Sequence, residues 1–151
     1  MSQKKWGPPI WSFFHTMAEK IKPEHFSIIF PSLFNFIRRI CNSLPCPDCS
    51  LHASSFLKRI NYKSIKTKQD LINVLYIFHN SVNKRKHKPL FHVGNMTLYS
   101  GNNLIQSYNG FISAYTTRGN IKLIADSFQR NIVIKDLKSW LMRNIEYFDT
   151  S

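Results

Sequence analysis

Cysteine, glycine and long apolar runs are all scarce in this chain. It has three cysteines in 151 residues, an odd number and too few for a small secreted domain held together by disulfides. Five glycines and seven prolines, most of them between stretches of helical periodicity, disfavour a meander of short strands. No apolar run approaches the roughly 20 residues of a membrane span, and the opening Met-Ser-Gln-Lys-Lys-Trp-Gly-Pro-Pro lacks the apolar core of a signal peptide. We therefore expect a protein of the cytoplasm, without a membrane span, where thiols are kept reduced.

Acidic side chains are scarce as well. Eight Asp and Glu stand against 21 Lys and Arg, which gives a formal net charge of +13. A balance this basic suggests a polyanionic partner such as nucleic acid or an anionic membrane, or a phosphate-bearing cofactor; a chain that is simply basic stays an open alternative. Apolar residues make up 43% of the chain and aromatic residues 14%, which excludes a disordered chain and suits one ordinary folded domain.

Helical periodicity predicts the first two helices. Pro8 and Pro9 suit the first turn of a helix that runs to about Lys20, because a proline there lacks only an N–H that has no helical partner. A second helix is expected over about 25–44, with Pro31 as its start or a kink. Its residues at helical spacing form an apolar stripe, made of Leu33, Ile37, Ile40, Cys41 and Leu44.

Three further helices are expected along the rest of the chain. Pro47 opens the third, with a buried face made of Cys49, Ala53, Phe56 and Ile60. Thr67 and Asp70 resemble a capping box at the start of the fourth, which ends in the basic run 84–86. Residues 90–101 are expected to be irregular, and a short helix is expected over about 102–117.

The end of the chain predicts one more helical segment. Arg118-Gly119-Asn120 should break the preceding helix, and apolar residues recur at helical spacing beyond it, at Ile134, Leu137, Leu141, Ile145 and Phe148. We divide the chain into a main domain over 1–120 and a helical extension over 121–151. We expect this extension either to pack on the same globule or to contact a second copy of the chain or a partner protein. Short connections between amphipathic helices indicate an all-α helical bundle.

The chemistry of the chain centres on Cys46-Pro47-Asp48-Cys49. Two thiols at this spacing can close a small disulfide ring, and at a helix N-terminus they should ionise readily. A redox dithiol is the favoured interpretation. The competing one is a structural zinc site made by Cys41, Cys46, Cys49 and His52. Cys41 falls on the apolar stripe, where a free cysteine is usually a small buried hydrophobe.

Two other clusters have ordinary structural explanations when each is taken alone. His79 and Asn83 share one helical face, and two asparagines near the end of an apolar helix suggest a bound polar group, although a frayed helix end explains them too. The basic run 84–88 is typical of a solvated face or a nucleic-acid patch. Trp11 and His15 share a face of the first helix, where an aromatic core pair is the simpler explanation.

Together, three separated motifs resemble one family, the ALR/Erv flavin-linked sulfhydryl oxidases, particularly the short forms of large cytoplasmic DNA viruses. Trp6-Gly7 with Trp11 and His15 resembles W-G-x-x-x-W-x-x-x-H. The run 44–53, Leu-Pro-Cys-Pro-Asp-Cys-Ser-Leu-His-Ala, resembles L-P-C-x-x-C-x-x-H-A. The run 78–89 resembles H-N-x-V-N closing on K-P. The motifs cover roughly residues 4–89 in the order of the family, which is far more specific than any one motif.

The resemblance implies a fold, a cofactor and a reaction. The fold is a four-helix bundle with a short fifth helix, here with an extra C-terminal helical segment. The bundle holds FAD and is usually a homodimer. The reaction is that of an FAD-dependent thiol oxidase, which makes disulfides in partner proteins and passes the electrons to O2, giving H2O2. The expected partner is a thiol-bearing protein, such as a small thioredoxin-like or Cys-x-x-Cys protein, and no nucleic acid.

The resemblance also implies roles for residues. Cys46 takes the mixed disulfide with the substrate, and Cys49 sits against the flavin as a charge-transfer thiolate. Lys84 and Lys88 reach the pyrophosphate, which agrees with lysine as a point charge for phosphates. The residues expected at the cofactor are Gly7, Trp11, His15, His52, His79, Asn80, Val82, Asn83, Lys84 and Lys88; no metal ligand is expected.

The chain departs from the longer family members in two ways. It has no second, shuttle cysteine pair, so a partner dithiol should attack the flavin-proximal disulfide directly. The segment from about 120 to 151 lies outside the resemblance, and we expect it to serve association or docking rather than catalysis. If the source is viral, the protein is expected in the host cytoplasm and in the virion as well.

Overall fold

A computed structural model describes residues 3–116 and 124–151 of the chain. Six α-helices follow one another: α1 Gln3–Lys20, α2 Phe26–Asn42, α3 Pro47–Lys58, α4 Lys68–Arg85, α5 Leu104–Tyr115 and α6 Ile124–Asn144. Short 3-10 helices lie at Pro23–His25, Tyr62–Ser64, Val93–Gly101 and Ile145–Tyr147. The described residues contain no strand beyond one isolated β-bridge. The predicted all-α class is therefore confirmed.

The helices pack in two contacting groups. α1 lies against α4 and α5, and α2 lies against α3 and α6. The apolar stripe predicted on α2 is buried along its whole length, with Leu33, Ile37 and Ile40 at 0% exposure. This burial stabilises the fold because each large apolar side chain removed from water contributes roughly 1.5–3 kcal/mol. The stripe ends at the buried Leu44, two residues beyond α2 and two residues before Cys46, so the buried core reaches the start of the Cys46–Cys49 loop.

Helix ends follow the local chemistry of the sequence. At α4, the Thr67 hydroxyl accepts a hydrogen bond from the Asp70 N–H at 3.1 Å, and the Asp70 carboxylate accepts one from the Thr67 N–H at 3.1 Å. This completes the capping box that the sequence predicts. α4 ends at Arg85, and His87 just beyond it adopts φ 57°, the left-handed conformation in which helices commonly stop.

Some boundaries differ from the prediction. Residues 93–101, expected to be irregular, form a 3-10 helix, which lies against α1. α6 ends at Asn144, so Ile145 and Phe148 lie beyond the helix on which the periodicity placed them. Pro31 lies inside α2 rather than at its start. The predicted break at 118–120 falls outside the described residues.

The described part of the C-terminal extension packs on its own chain. The Trp140 indole N–H donates to the Ser32 hydroxyl at 2.9 Å, and Arg39 of α2 pairs with Asp136 of α6 at 2.7 Å. Beyond α6, Phe148 is 2% exposed and forms the β-bridge with Ile21. α6 therefore covers one face of α2, and the last residues return to the end of α1. No helix in the described ranges is both long and apolar enough to cross a membrane.

Candidate active site and cofactor pocket

The two cysteines of the Cys-x-x-Cys motif are joined by a disulfide at the start of α3, with their Cα atoms 5.2 Å apart. Cys46 is the N-cap residue of α3, and its Sγ accepts a hydrogen bond from the Cys49 N–H at 3.2 Å. Pro47 suits the first turn because its missing N–H leaves no unpaired donor there. The positive end of the helix dipole and this N–H would stabilise a thiolate on Cys46 after reduction.

The two sulfurs lie in different environments. Cys49 is 7% exposed, whereas Cys46 is half-buried. Cys49 lines a cavity whose walls are mostly apolar side chains. The cavity is lined by Trp6, Gly7, Ile10, Trp11, Phe14, Cys41, Leu44, Cys49, His52, Ala53, Phe78, Val82 and Arg85. Cys49 therefore lies at the cavity, and Cys46 is the more exposed of the two cysteines.

A second cavity adjoins the first and is more polar. Gly7, Trp11 and Val82 line both cavities. The second is lined in addition by Pro8, His79, Asn83, Lys88 and Tyr99. The apolar cavity at Cys49 thus lies next to a cavity lined by amide, imidazole and ammonium groups.

Aromatic rings and two histidines form the wall at the second cavity. Trp11 and His79 stack with ring centres 4.2 Å apart and planes 7° apart, and His15 stacks on Tyr99 at 4.5 Å. His15 Nε2 and His79 Nδ1 share a hydrogen bond at 3.0 Å. Burial, with His79 as a second cause, lowers the pKa of His15 to about 3. Burial and then the charge of Lys88 lower the pKa of His79 to about 4. Both imidazoles are therefore neutral near pH 7.

One buried polar atom in this wall lacks a partner. His15 is 0% exposed, and its Nδ1 has no hydrogen-bond partner among the described residues. Leaving a buried polar nitrogen unpaired costs about 1–3 kcal/mol, so such an atom usually has a ligand or water partner. The stacked rings, this nitrogen and Lys88 suit a flat heteroaromatic group carrying phosphate. The residues present fit an FAD-type cofactor.

The predicted cofactor residues do not all lie at these two cavities. Eight of the ten line a cavity or form its wall: Gly7, Trp11, His15, His52, His79, Val82, Asn83 and Lys88. Lys84 is exposed and lines neither cavity.

Asn80 lines neither cavity and is bound to the backbone of Phe91. Its side-chain NH2 donates to the Phe91 carbonyl at 2.9 Å, and its side-chain oxygen accepts from the Phe91 N–H at 2.6 Å. The same oxygen accepts from the Asn83 side chain at 3.3 Å. Asn80 thus holds the segment after α4 against that helix. It acts on the pocket through Phe91, whose ring stacks on His79 at 5.4 Å.

Several residues of the site were missed by the sequence reasoning. Arg85, at the end of α4, forms an ion pair with Asp48 of the Cys-x-x-Cys loop and lines the cavity with Cys49. His52 Nε2 lies 3.6 Å from the other oxygen of Asp48. A pairing over 37 residues has no periodic signal, because it depends on how α3 packs against α4. Tyr99 was missed because the segment around it has no helical period.

The third cysteine does not extend the site into a metal centre. Cys41 is 2% exposed, and burial raises the pKa of its thiol well above the usual range. Its neighbours in the alternative zinc set, Cys46 and Cys49, are engaged with each other in the disulfide. Among the described residues no group of three or more His, Cys, Asp or Glu could hold a metal ion. The zinc interpretation thus receives no support.

Comparison with known proteins agrees with this geometry. The chain belongs to the Erv1 / Alr family, whose model matches residues 8–100. It is similar to the candidate FAD-linked sulfhydryl oxidase 347L of Invertebrate iridescent virus 6, with 36% identity over 91 residues, covering 56% of this chain and 82% of that protein. It is also similar to the FAD-linked sulfhydryl oxidase of African swine fever virus (isolate Pig/Kenya/KEN-50/1950), with 33% identity over 91 residues, covering 56% of this chain and 71% of that protein. No solved structure matches the chain. The match contains both cavities except Trp6 and Gly7, and leaves α5 and α6 outside.

Proposed function

We propose that this FAD-dependent thiol oxidase takes electrons from a partner dithiol at Cys46 and delivers them to the cofactor cavity at Cys49. The observation that carries the proposal is the asymmetry of the pair: Cys49 is buried and lines the apolar cavity, whereas Cys46 is half-buried and does not line it. Such a disulfide can exchange with an external thiol at its more exposed sulfur and serve a buried acceptor at the other.

The thiol chemistry follows from this arrangement. A substrate thiolate attacks Cys46, forming a mixed disulfide and releasing Cys49 as a thiolate. The second substrate thiolate then attacks the substrate sulfur of that mixed disulfide and releases Cys46. The substrate leaves as a disulfide, and Cys46 and Cys49 hold the two electrons and take up protons from water. The Cys49 N–H and the helix dipole stabilise the Cys46 thiolate.

FAD would lie in the two cavities. Trp6, Trp11 and Phe14 offer aromatic surface near Cys49 for the ring system, and Asn83 and Lys88 offer donors for its phosphates and ribose. The chemistry that the cofactor supplies when bound is two-electron oxidation of a dithiol, with O2 as the final acceptor. The protein's part is to hold Cys49 against the ring and keep water out of the apolar cavity.

The proposal also covers the substrate protein, the oligomeric state and the cellular compartment. With Cys41 buried, the chain offers no second pair to relay electrons, which supports direct attack on Cys46 by a small thioredoxin-like or Cys-x-x-Cys protein. We propose a homodimer on the family resemblance alone. We place the protein in the cytoplasm, and in the virion if the source is viral, on the low cysteine content.

The experiment is oxygen consumption by the purified yellow protein with dithiothreitol as the dithiol. Cys46→Ser and Cys49→Ser should each abolish turnover while retaining FAD. The two variants should differ in spectrum: Cys46→Ser leaves Cys49 unpaired at the cavity and should add a long-wavelength absorption band to the bound flavin. A band confined to Cys49→Ser would exchange the two roles, and full turnover in either variant would refute the proposal.

A further inference from the structure

The last turn of α4 places a cation beside the redox pair. Arg85 forms an ion pair with Asp48, which lies between the two cysteines in the sequence, and the Arg85 side chain also lines the cavity with Cys49. The Arg85 side chain is 27% exposed and that of Asp48 is 65% exposed. Asp48 therefore anchors a half-buried guanidinium at the edge of the cavity that Cys49 lines.

We propose that Arg85, anchored by Asp48, is a positioning residue that makes the Cys46–Cys49 disulfide a stronger oxidant of partner thiols by stabilising its reduced form. The inference rests on the proposed entry of electrons at Cys46. The C-terminal end of α4, which carries the cofactor motif, would then also act on the disulfide through Arg85.

The reasoning is electrostatic. Reduction of the disulfide takes two electrons from the partner dithiol, which becomes a disulfide, and leaves a thiol and a thiolate if one proton is taken up. A thiolate next to the Asp48 carboxylate would be repelled by it. The Arg85 guanidinium offsets that charge and attracts the thiolate, and the attraction is stronger at the edge of an apolar chamber than in bulk water. A stabilised reduced form makes a pair more oxidising.

Other charged groups near the pair are weaker candidates for this role. His52 faces the second oxygen of Asp48 at 3.6 Å, on an exposed part of α3. Lys84 and Lys86 flank Arg85 in sequence, but neither lines the cavity. Lys86 is therefore a matched control, since its removal changes the net charge equally in the same helical turn.

The test measures the exchange equilibrium of Cys46–Cys49 with glutathione in the full-length, FAD-loaded protein without oxygen, by alkylation of free thiols and mass spectrometry. Arg85→Gln should shift the equilibrium about three- to tenfold towards the disulfide, about 15–30 mV to more negative potential. Asp48→Asn should shift it in the opposite direction, because the cation then acts unopposed. The double variant should return close to the wild type, Arg85→Lys should retain most of the effect, and Lys86→Gln should change the equilibrium less than twofold.

Three outcomes would contradict these claims. If Arg85→Gln lowers the melting temperature but leaves the equilibrium unchanged, the ion pair is only a clamp between α3 and α4, and this inference is wrong while the proposed function stands. If Lys86→Gln shifts the equilibrium as much as Arg85→Gln, the effect is general charge and the inference is again wrong. If the wild-type pair does not exchange with glutathione at all, the proposed entry of electrons at Cys46 fails, and the inference fails with it.

Discussion

Acidification should destabilise this protein through its two buried histidines. His15 is 0% exposed, and its pKa is lowered from 6.5 to about 3. In the unfolded chain the imidazole binds a proton below about pH 6.5, whereas in the folded protein it stays neutral down to about pH 3. The unfolded state therefore binds more protons between these two values. The stabilising effect of neutral His15 is fully present above pH 6.5 and is lost progressively as the pH falls towards 3.

The size of the effect follows from the shift. Each pH unit below 6.5 costs about 1.4 kcal/mol for a group that cannot be protonated when folded. At pH 5, His15 alone should lower the free energy of unfolding by about 2 kcal/mol relative to pH 7. His79, half-buried with its pKa lowered to about 4, should add a smaller loss of the same sign. The hydrogen bond between the two rings at 3.0 Å reinforces the effect, because two imidazolium ions could not share it.

The assay is urea unfolding at pH 7 and pH 5, followed by circular dichroism with the same excess of FAD in each sample. His15→Asn removes the titrating ring and should reduce the difference between the two pH values by about 2 kcal/mol, even if the variant is less stable at both. The control is His87→Asn, which removes an exposed histidine at a left-handed backbone position that asparagine tolerates; it should leave the difference unchanged. If wild type and His15→Asn lose the same stability between pH 7 and pH 5, the neutral, buried state assigned to His15 is wrong.

Three further predictions address the pocket, the third cysteine and the C-terminal extension. Lys88→Ala should weaken FAD retention, measured by flavin release on dilution, by more than Lys84→Ala does, because only Lys88 lines the second cavity; equal losses would contradict this placement. Cys41→Ala should retain most turnover with dithiothreitol, since a buried thiol with a raised pKa supplies no nucleophile, and a severe loss with a normal flavin spectrum would indicate a resolving role. Leu137→Ala, at a position of 0% exposure in α6, should lower the free energy of unfolding by about 2–5 kcal/mol; in urea unfolding, a loss below 1 kcal/mol would show that α6 packs only loosely on α2.

Periodicity predicted the helices because burial of one helical face leaves a regular mark on the sequence. The stripe from Leu33 to Leu44 is buried throughout, and the capping box at Thr67 forms as expected. Periodicity was less reliable where the chain leaves the α-helix. Residues 93–101 form a 3-10 helix, which has a different period from an α-helix. The apolar spacing at Ile145 and Phe148 continues past the end of α6, into a segment that is hydrogen-bonded to the end of α1.

The candidate site was predictable where the motifs name its residues and unpredictable where packing selects them. Trp11 lines one cavity with Cys49 and the neighbouring cavity with His79, so residues from the three motifs lie close together. Asn80 lies in the same motif, yet its amide both donates to and accepts from the backbone of Phe91 and lines neither cavity. A motif states which residue types recur together, but it does not distinguish a side chain that faces a ligand from one that supports the wall behind it.

Net charge was the weakest guide to the site. The +13 balance suggested a polyanion or a phosphate-bearing cofactor, but of the residues that line the two cavities only Arg85 and Lys88 are basic, and Arg85 is paired with Asp48. Among the described residues, Lys88 is therefore the one lysine that lines either cavity, in a chain with 21 basic residues. The reason is physical: a binding pocket needs few charges at defined positions, whereas the total charge acts over the whole surface on solubility and association rates. The site is recognised instead by the burial of Cys49 at an apolar cavity. The amino-acid composition of the chain does not show where that cavity lies.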